Sequence, residues 1–283
     1  MNLHSQPSHP VFPYSWASDW GEDRYGLWQA FIYQAVRHIF RWIEPGSFMM
    51  GSPETEQGRY SDEDLHQVTI SQGFWLAETT VTQALWQAVM GDNPSHFKGA
   101  ECPVEQVSWA DAQAFIAKLR QLYPDLNARL PWEAEWEYAC RAGTQTPFNF
   151  AGELTLAKVN YRGTWEYKSD EWGKGAKQAT AEVKAYPCNA WGLFAMHGNV
   201  WEWCEDVWRD SLGTAAVCDP WQVPTGLEPD ALRVVRGGSW DYDGGNVRCA
   251  IRERIWPDGR YDRLGLRLAL GHAELQQGGG TAG

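Results

Sequence analysis

The sequence has no cysteine pair at C-x-x-C spacing, no long apolar run and no excess of basic residues. Six cysteines, Cys102, Cys140, Cys188, Cys204, Cys218 and Cys249, are too sparse in 283 residues for a disulfide scaffold. Without a C-x-x-C pair they also argue against a sequence-local zinc site. The most apolar-looking stretch, Leu27 to Ile43, is broken by Gln29, Gln34, Arg37, His38 and Arg41, so it cannot span a membrane. Lys and Arg total 24 against 36 Asp and Glu, a net charge of −12. That sign opposes general nucleic-acid binding and reads as solubility. Met1 to Tyr14 lacks the basic start and apolar core of a secretory leader, which makes the cytoplasm the expected location.

What is abundant is tryptophan, 18 residues, and glycine, 28 residues. Each indole buries a large apolar body and needs a partner for its N–H. A core built from rings, with that much glycine, points to an irregular, turn-rich fold rather than a helical bundle.

Residues 1–23 read as a loose N-terminal arm, 24–270 as a single domain and 271–283 as a disordered tail. Residues 27–33 and 37–43 read as paired strands, with Pro45-Gly46 ending the second. Met49 to His66 reads as a loop whose acids Asp62-Glu63-Asp64 are solvated rather than cation-binding. Val68 to Leu76 alternates like one strand. Thr82 caps a helix that Gly91 stops, and Ser108 and Asp111 form a capping box. The helix after that box carries Ala112, Phe115, Leu119 and Leu122 on one side, and a third runs from about Trp132 to Arg141. Residues 144–187 hold few elements, with a surface excursion over 168–177, and 209–230 form another loop. Asn189 to Trp203 reads as a tight aromatic turn in the core, with His197 a hydrogen-bonded core histidine.

The chain is organised around Arg233 to Leu270. This stretch opens with Arg236-Gly237-Gly238-Ser239-Trp240, closes with Leu264-Gly265-Leu266-Arg267-Leu268, and has no period between them. Five segments now occur in order: Phe48-Met49-Met50-Gly51-Ser52, Pro103 to Trp109 (PVEQVSW), Arg129 to Arg141 (RLPWEAEWEYACR), Gly198 to Trp203 (GNVWEW) and Arg236 to Trp240. Together, over roughly 40–270, they resemble the formylglycine-generating enzyme (sulfatase-modifying factor) family. The resemblance implies an α+β, C-type lectin fold of the formylglycine-generating-enzyme type, loop-rich, with few helices and short antiparallel strands.

It also implies a copper–thiolate oxidase using two cysteines just after the Gly-Gly-Ser-aromatic motif, two thiolates being what soft Cu(I) requires. Here Tyr242 stands at the first of those positions and the second falls in a shortened segment without a cysteine. That argues against the parent activity. Cys140 and Cys249 match a family pair that is bridged, so they are expected to be neighbours in a structural role. The iron-dependent sulfoxide synthases among the relatives use clustered histidines, and no H-x-x-x-H-x-E spacing occurs here. A family calcium site would map to the carbonyls of Gly198 and Val200 and the carboxylate of Glu202. Ala195 stands where a further side-chain oxygen is expected, so Glu202 either serves a calcium ion or is bonded within a buried turn. No other cofactor is implied.

Two segments, Trp16 to Trp28 and Arg248 to Arg267, resemble one branch, the variable proteins of diversity-generating retroelements. That likeness implies a frame of Arg236 to Trp240, Arg248, Ala250, Arg252, Arg254, Pro257, Arg260, Gly265 and Arg267. Displayed between are Asp241, Tyr242, Asp243, Asn246, Ile251, Glu253, Ile255, Trp256, Asp258, Gly259, Tyr261, Asp262 and Arg263. Tyr, Trp and Arg are the residue types of binding hot spots and paratopes. The expectation is a non-catalytic binder of a macromolecular ligand, a protein; the competing reading is a divergent metal-dependent oxidase or oxygenase. The sequence sets no oligomeric state.

Overall fold

A computed structural model describes residues 12–165, 175–220 and 230–271. The elements in chain order are β1 (Asp19–Asp23), β2 (Gly26–Tyr33), β3 (Val36–Ile43), β4 (Gly46–Met50), β5 (His66–Ile70), β6 (Phe74–Ala77), α1 (Gln83–Met90) and α2 (Trp109–Leu122). Then follow β7 (Ala128–Arg129), α3 (Glu133–Arg141), β8 (Trp201–Val207), β9 (Val217–Cys218), β10 (Arg233–Arg236), β11 (Arg252–Ile255), β12 (Leu264–Leu266) and β13 (Ala269–Leu270).

Three sheets result, ordered β1-β2-β3-β6-β13-β7, β11-β10-β8-β12 and β4-β5-β9. Pairing is antiparallel except for β12 with β8 and β5 with β9. The β2–β3 hairpin turns through Gln34 and Ala35, both at positive φ (47° and 66°), the conformation whose twist matches the flanking strands. Thr82 accepts from the Leu85 N–H at 3.2 Å to start α1, and Gly91 ends it at φ 91°. Ser108 and Asp111 form the expected capping box of α2.

Several local expectations change. Residues 12–23 are not a loose arm: β1 pairs with β2, Trp16 is buried, and Phe12 and Tyr14 lie against Trp75. Residues 1–11 lie outside the described residues, as does the expected tail beyond Gly271. A strand, β4, begins at the Gly46 read as a stop, because β5 supplies its partner across 46–50. Val68 to Leu76 is two strands, β5 and β6, in different sheets. Between them, a Cβ at Gly73 would lie 2.2 Å from the Trp42 ring. Leu122 is exposed rather than on the packed side of α2. Residues 209–220 include β9, and most of the 168–177 excursion lies outside the described residues.

The core is ring-rich. Trp75, Trp136, Trp201 and Trp203 are fully buried, and the Trp136, Trp203 and Trp109 indoles donate to Glu202, Val107 O and Cys204 O. α3 is an acidic helix with no exposed face. Its three glutamates each meet arginine: Glu135 with Arg129, Glu137 with Arg141 and Arg236, and Glu133 with Arg252. A buried carboxylate is tolerated only when paired in this way. α3 thereby ties the six-stranded sheet to β10 and β11, which carry the organising segment.

Candidate functional site

β10 runs into Gly237 and Gly238, both at positive φ (99° and 73°). A Cβ on Gly238 would lie 2.2 Å from Asn246 O, so only glycine lets the chain fold back under residues 243–247. Ser239 Oγ donates to Asp241 at 2.6 Å, and Trp240 Nε1 donates to Asp262 O at 3.2 Å, closing the start of the segment onto its end.

The frame arginines are locked beneath it. Arg236 donates to Glu137 and to the carbonyls of Ala250 and Ile251. Arg248 makes a two-point pair with Glu63 and also reaches Glu56 and the Gly58 carbonyl. Arg252 grips Glu133 and lies over the Trp208 ring, while Arg267 makes a two-point pair with Glu202. These four arginines are buried. Glu63 is buried with them, so the 62–64 acids are not simply a solvated loop. Arg254 and Arg260 differ: both are exposed, on Asp210 and Asp111 respectively.

Of the residues read as displayed, Glu253, Trp256, Asp258 and Tyr261 are exposed. Trp256 stands 58% accessible, the most open large apolar side chain described. Asp241, Tyr242, Asn246, Ile255, Gly259, Asp262 and Arg263 are half-buried. Two expectations are corrected. Asp243 is buried because it caps the short 3-10 turn at 244–247, accepting from the Asn246 N–H. Ile251 is buried because it packs in the core cluster with Trp201, Trp203 and Val235. Gly259 is also constrained: a Cβ there would lie 2.6 Å from Ile255 Cγ2. The loop backbone is pinned from below, Trp109 N–H donating to Pro257 O and Gln106 N–H to Tyr261 O.

Two cavities open on this surface. One, of about 180 Å³, lies between Trp201, Tyr242, Ile255, Tyr261 and Arg263. The other, of about 700 Å³, reaches from Tyr242 and Glu253 to Tyr60, Asp62, Trp208 and Asp210. Tyr242, Glu253 and Arg254 line both, so the two join along β11. The rim from Tyr60, Asp62, Trp208 and Asp210 was not legible in the sequence. Tyr60 Oη donating to Asn246 Oδ1 at 3.2 Å is a contact across 186 residues with no local signal. Burial pushes the Asp241 carboxyl and the Tyr242 phenol up.

A copper–thiolate centre does not fit here. Tyr242 sits edge-on to Trp201 and no cysteine lines either cavity. Calcium at Glu202 does not fit either. Its two oxygens already accept from Trp136 Nε1 and twice from Arg267, and a cation would face that guanidinium. Gly198 and Val200 lie in the buried turn before β8, as the motif suggested. Cys140 and Cys249 are buried unbonded thiols, and their sulfurs and a His197 ring nitrogen lie within 4.8 Å of one another. Burial pushes the Cys140 thiol up.

Residues 36–271 match the family described as sulfatase-modifying factor enzyme 1-like domain. The formylglycine-generating enzyme of Mus musculus is 33% identical over 214 residues, covering 74% of this chain and 54% of its own length. The chain thus spans about half the length of that relative. The chaperone protein LppX of Paenibacillus barcinonensis is 32% identical, covering 69% of this chain and 88% of its own. Among solved structures, Treponema denticola variable protein 1 superposes with a TM-score of 0.70 at 31% identity, covering 86% of this chain and 98% of its own. PvdO from Pseudomonas aeruginosa does so at 0.72 and 28% identity, covering 85% and 97%. Among the described residues no helix is long and apolar enough to cross a membrane.

Proposed function

The chain belongs to the sulfatase-modifying factor enzyme 1-like family, and from that premise we propose that it is a non-catalytic binder presenting a diversified surface to a macromolecular ligand. Its fold is the C-type lectin type in that family's variant. The observation that carries the reading is the division of one short segment into two classes of side chain. Arg236, Arg248, Arg252 and Arg267 are buried and ion-paired, while Glu253, Trp256, Asp258 and Tyr261 between them face solvent beside two joined cavities.

Fixed arginines hold the backbone, so exposed positions can change without loss of the fold. Trp256 and Tyr261 offer rigid rings, and Arg263 lies over the Tyr261 ring, the composition of a protein-binding hot spot. The likeness to a protein named as variable supports diversification of these positions. Tyr242, where the family resemblance places a thiolate, supports the absence of the formylglycine-generating activity that the curated relatives are named for. The ligand is read as a protein because the surface is broad, ringed and of mixed charge.

The competing enzyme reading is tested with copper-supplemented protein and a cysteine-containing peptide, following oxygen uptake and aldehyde by mass. The proposal expects neither; catalytic turnover to an aldehyde would overturn it.

A further inference from the structure

A second cluster lies outside the display surface and is used by nothing above. Cys140 is on α3, His197 is in the aromatic turn before β8, and Cys249 follows the 3-10 turn at the root of the displayed segment. The three side chains are buried. We infer that Cys140, His197 and Cys249 form a binding site for one thiophilic d10 metal ion that clips these three segments together.

Two independent observations support the assignment. The first is spacing. Cys140 Sγ is 4.0 Å from His197 Nε2, and the three ligand atoms lie within 4.8 Å of one another. Metal–sulfur and metal–nitrogen bonds of ordinary zinc-site length place sulfur and nitrogen about 3.8 Å apart in a trigonal arrangement. Closing the trio on an ion needs movements of well under an ångström between Cys140 and His197.

The second is the histidine tautomer. His197 Nδ1 is 2.7 Å from the Val247 carbonyl, which can only accept. Nδ1 therefore carries the proton, which leaves Nε2 unprotonated 4.0 Å from Cys140 Sγ. A backbone carbonyl that holds a ligating imidazole through its other ring nitrogen in this way is the usual arrangement at metal sites. A disulfide between the cysteines would use neither this tautomer nor the position of His197.

The surroundings suit a closed site. Arg236 donates to Cys249 O at 3.3 Å, placing positive charge beside the thiolates. Nε2 accepts one weak bond, from the Asn149 N–H at 3.2 Å, which an ion would displace. Asn149 lies between Phe148 and Phe150, whose rings meet His197 edge-on at 5.5 and 5.6 Å. These residues form part of the wall of a neighbouring cavity of about 900 Å³. Binding releases the two thiol protons and forms two metal–sulfur bonds and one metal–nitrogen bond, with no change of oxidation state. Soft sulfur ligands with one imidazole select Zn(II) or Cu(I) over harder cations.

The test uses the full chain, reduced and chelator-stripped under argon, titrated separately with Zn(II) and with Cu(I) against chromophoric chelators. The expected result is one equivalent of one of the two ions per chain, and the two arms identify which. Binding should vanish in C140S and in C249S, weaken at least about tenfold in H197Q, and stay unchanged in C102S. To read the site independently of how the serine variants fold, Co(II) is also added to the unaltered chain, where a sulfur-to-cobalt charge-transfer band is expected. Failure of the reduced chain to take up either ion, full binding by folded C249S, or unchanged affinity in H197Q would each overturn the inference. So would a Cys140–Cys249 disulfide that resists glutathione.

Discussion

Arg248 and Glu63 stand 185 residues apart in the chain and meet in a two-point ion pair of 2.8 and 2.6 Å, with both side chains fully buried. The pair anchors the root of the displayed segment to the 51–65 loop. Glu56 adds a third contact to the same guanidinium at 2.6 Å. Removing one partner leaves an opposite charge buried with too little compensation.

Glu63→Gln is therefore expected to lower unfolding free energy by about 3 kcal/mol, the low end of the range because Glu56 remains. Arg248→Met is expected to cost about as much, and the double variant less than the sum, since Glu63 then leaves no stranded charge and only Glu56 lacks its guanidinium. Urea unfolding of the three variants measures this. Additive losses would show that the two side chains act separately.

Ile251 and Trp256 lie five positions apart on opposite sides of the same backbone. Ile251→Ala is expected to cost about 2–5 kcal/mol because it empties a core position. Trp256→Ala should fall within about 0.5 kcal/mol of the parent, as surface substitutions do. Thermal and chemical denaturation check both values. A Trp256→Ala loss as large as that of Ile251→Ala would place Trp256 in the core.

His38 is buried between Phe31 and Phe40, and burial, then the charges of Arg267 and Lys184, lower its pKa to about 3. A folded pKa below the unfolded value means that the stabilisation is present above about pH 6.5 and is lost as pH falls toward 3. Between pH 6.5 and 4.5 the loss should reach about 2–3 kcal/mol. His38→Gln should remove this slope. Acids pushed up by burial, such as Glu105 and Glu205, contribute with the opposite sign and cancel when the two proteins are compared. Equal slopes would mean that folded His38 takes up its proton as readily as the unfolded imidazole does.

Helix capping at Thr82 and Ser108 acts over three residues, so α1 and α2 could be read locally. The Gly237-Gly238 turn and the buried arginines around it were legible through the family motif. β1 and β4 were not, because a five-residue strand is defined by its partner and these partners are set by tertiary packing. The burial of Glu63 was illegible for the same reason: an acidic run looks solvated until an arginine far along the chain reaches it. Asp243 and Ile251 fall at positions expected to be displayed, yet one caps a turn and the other fills the core. Neither role follows from spacing alone.

The most direct measurement is deep sequencing of this gene across a population of its host. The account predicts that codons for exposed positions such as Glu253, Trp256, Asp258 and Tyr261 vary, while those for Arg236, Gly238, Arg248, Arg252 and Arg267 stay fixed. An invariant segment, or variation spread equally over frame and surface, would contradict it.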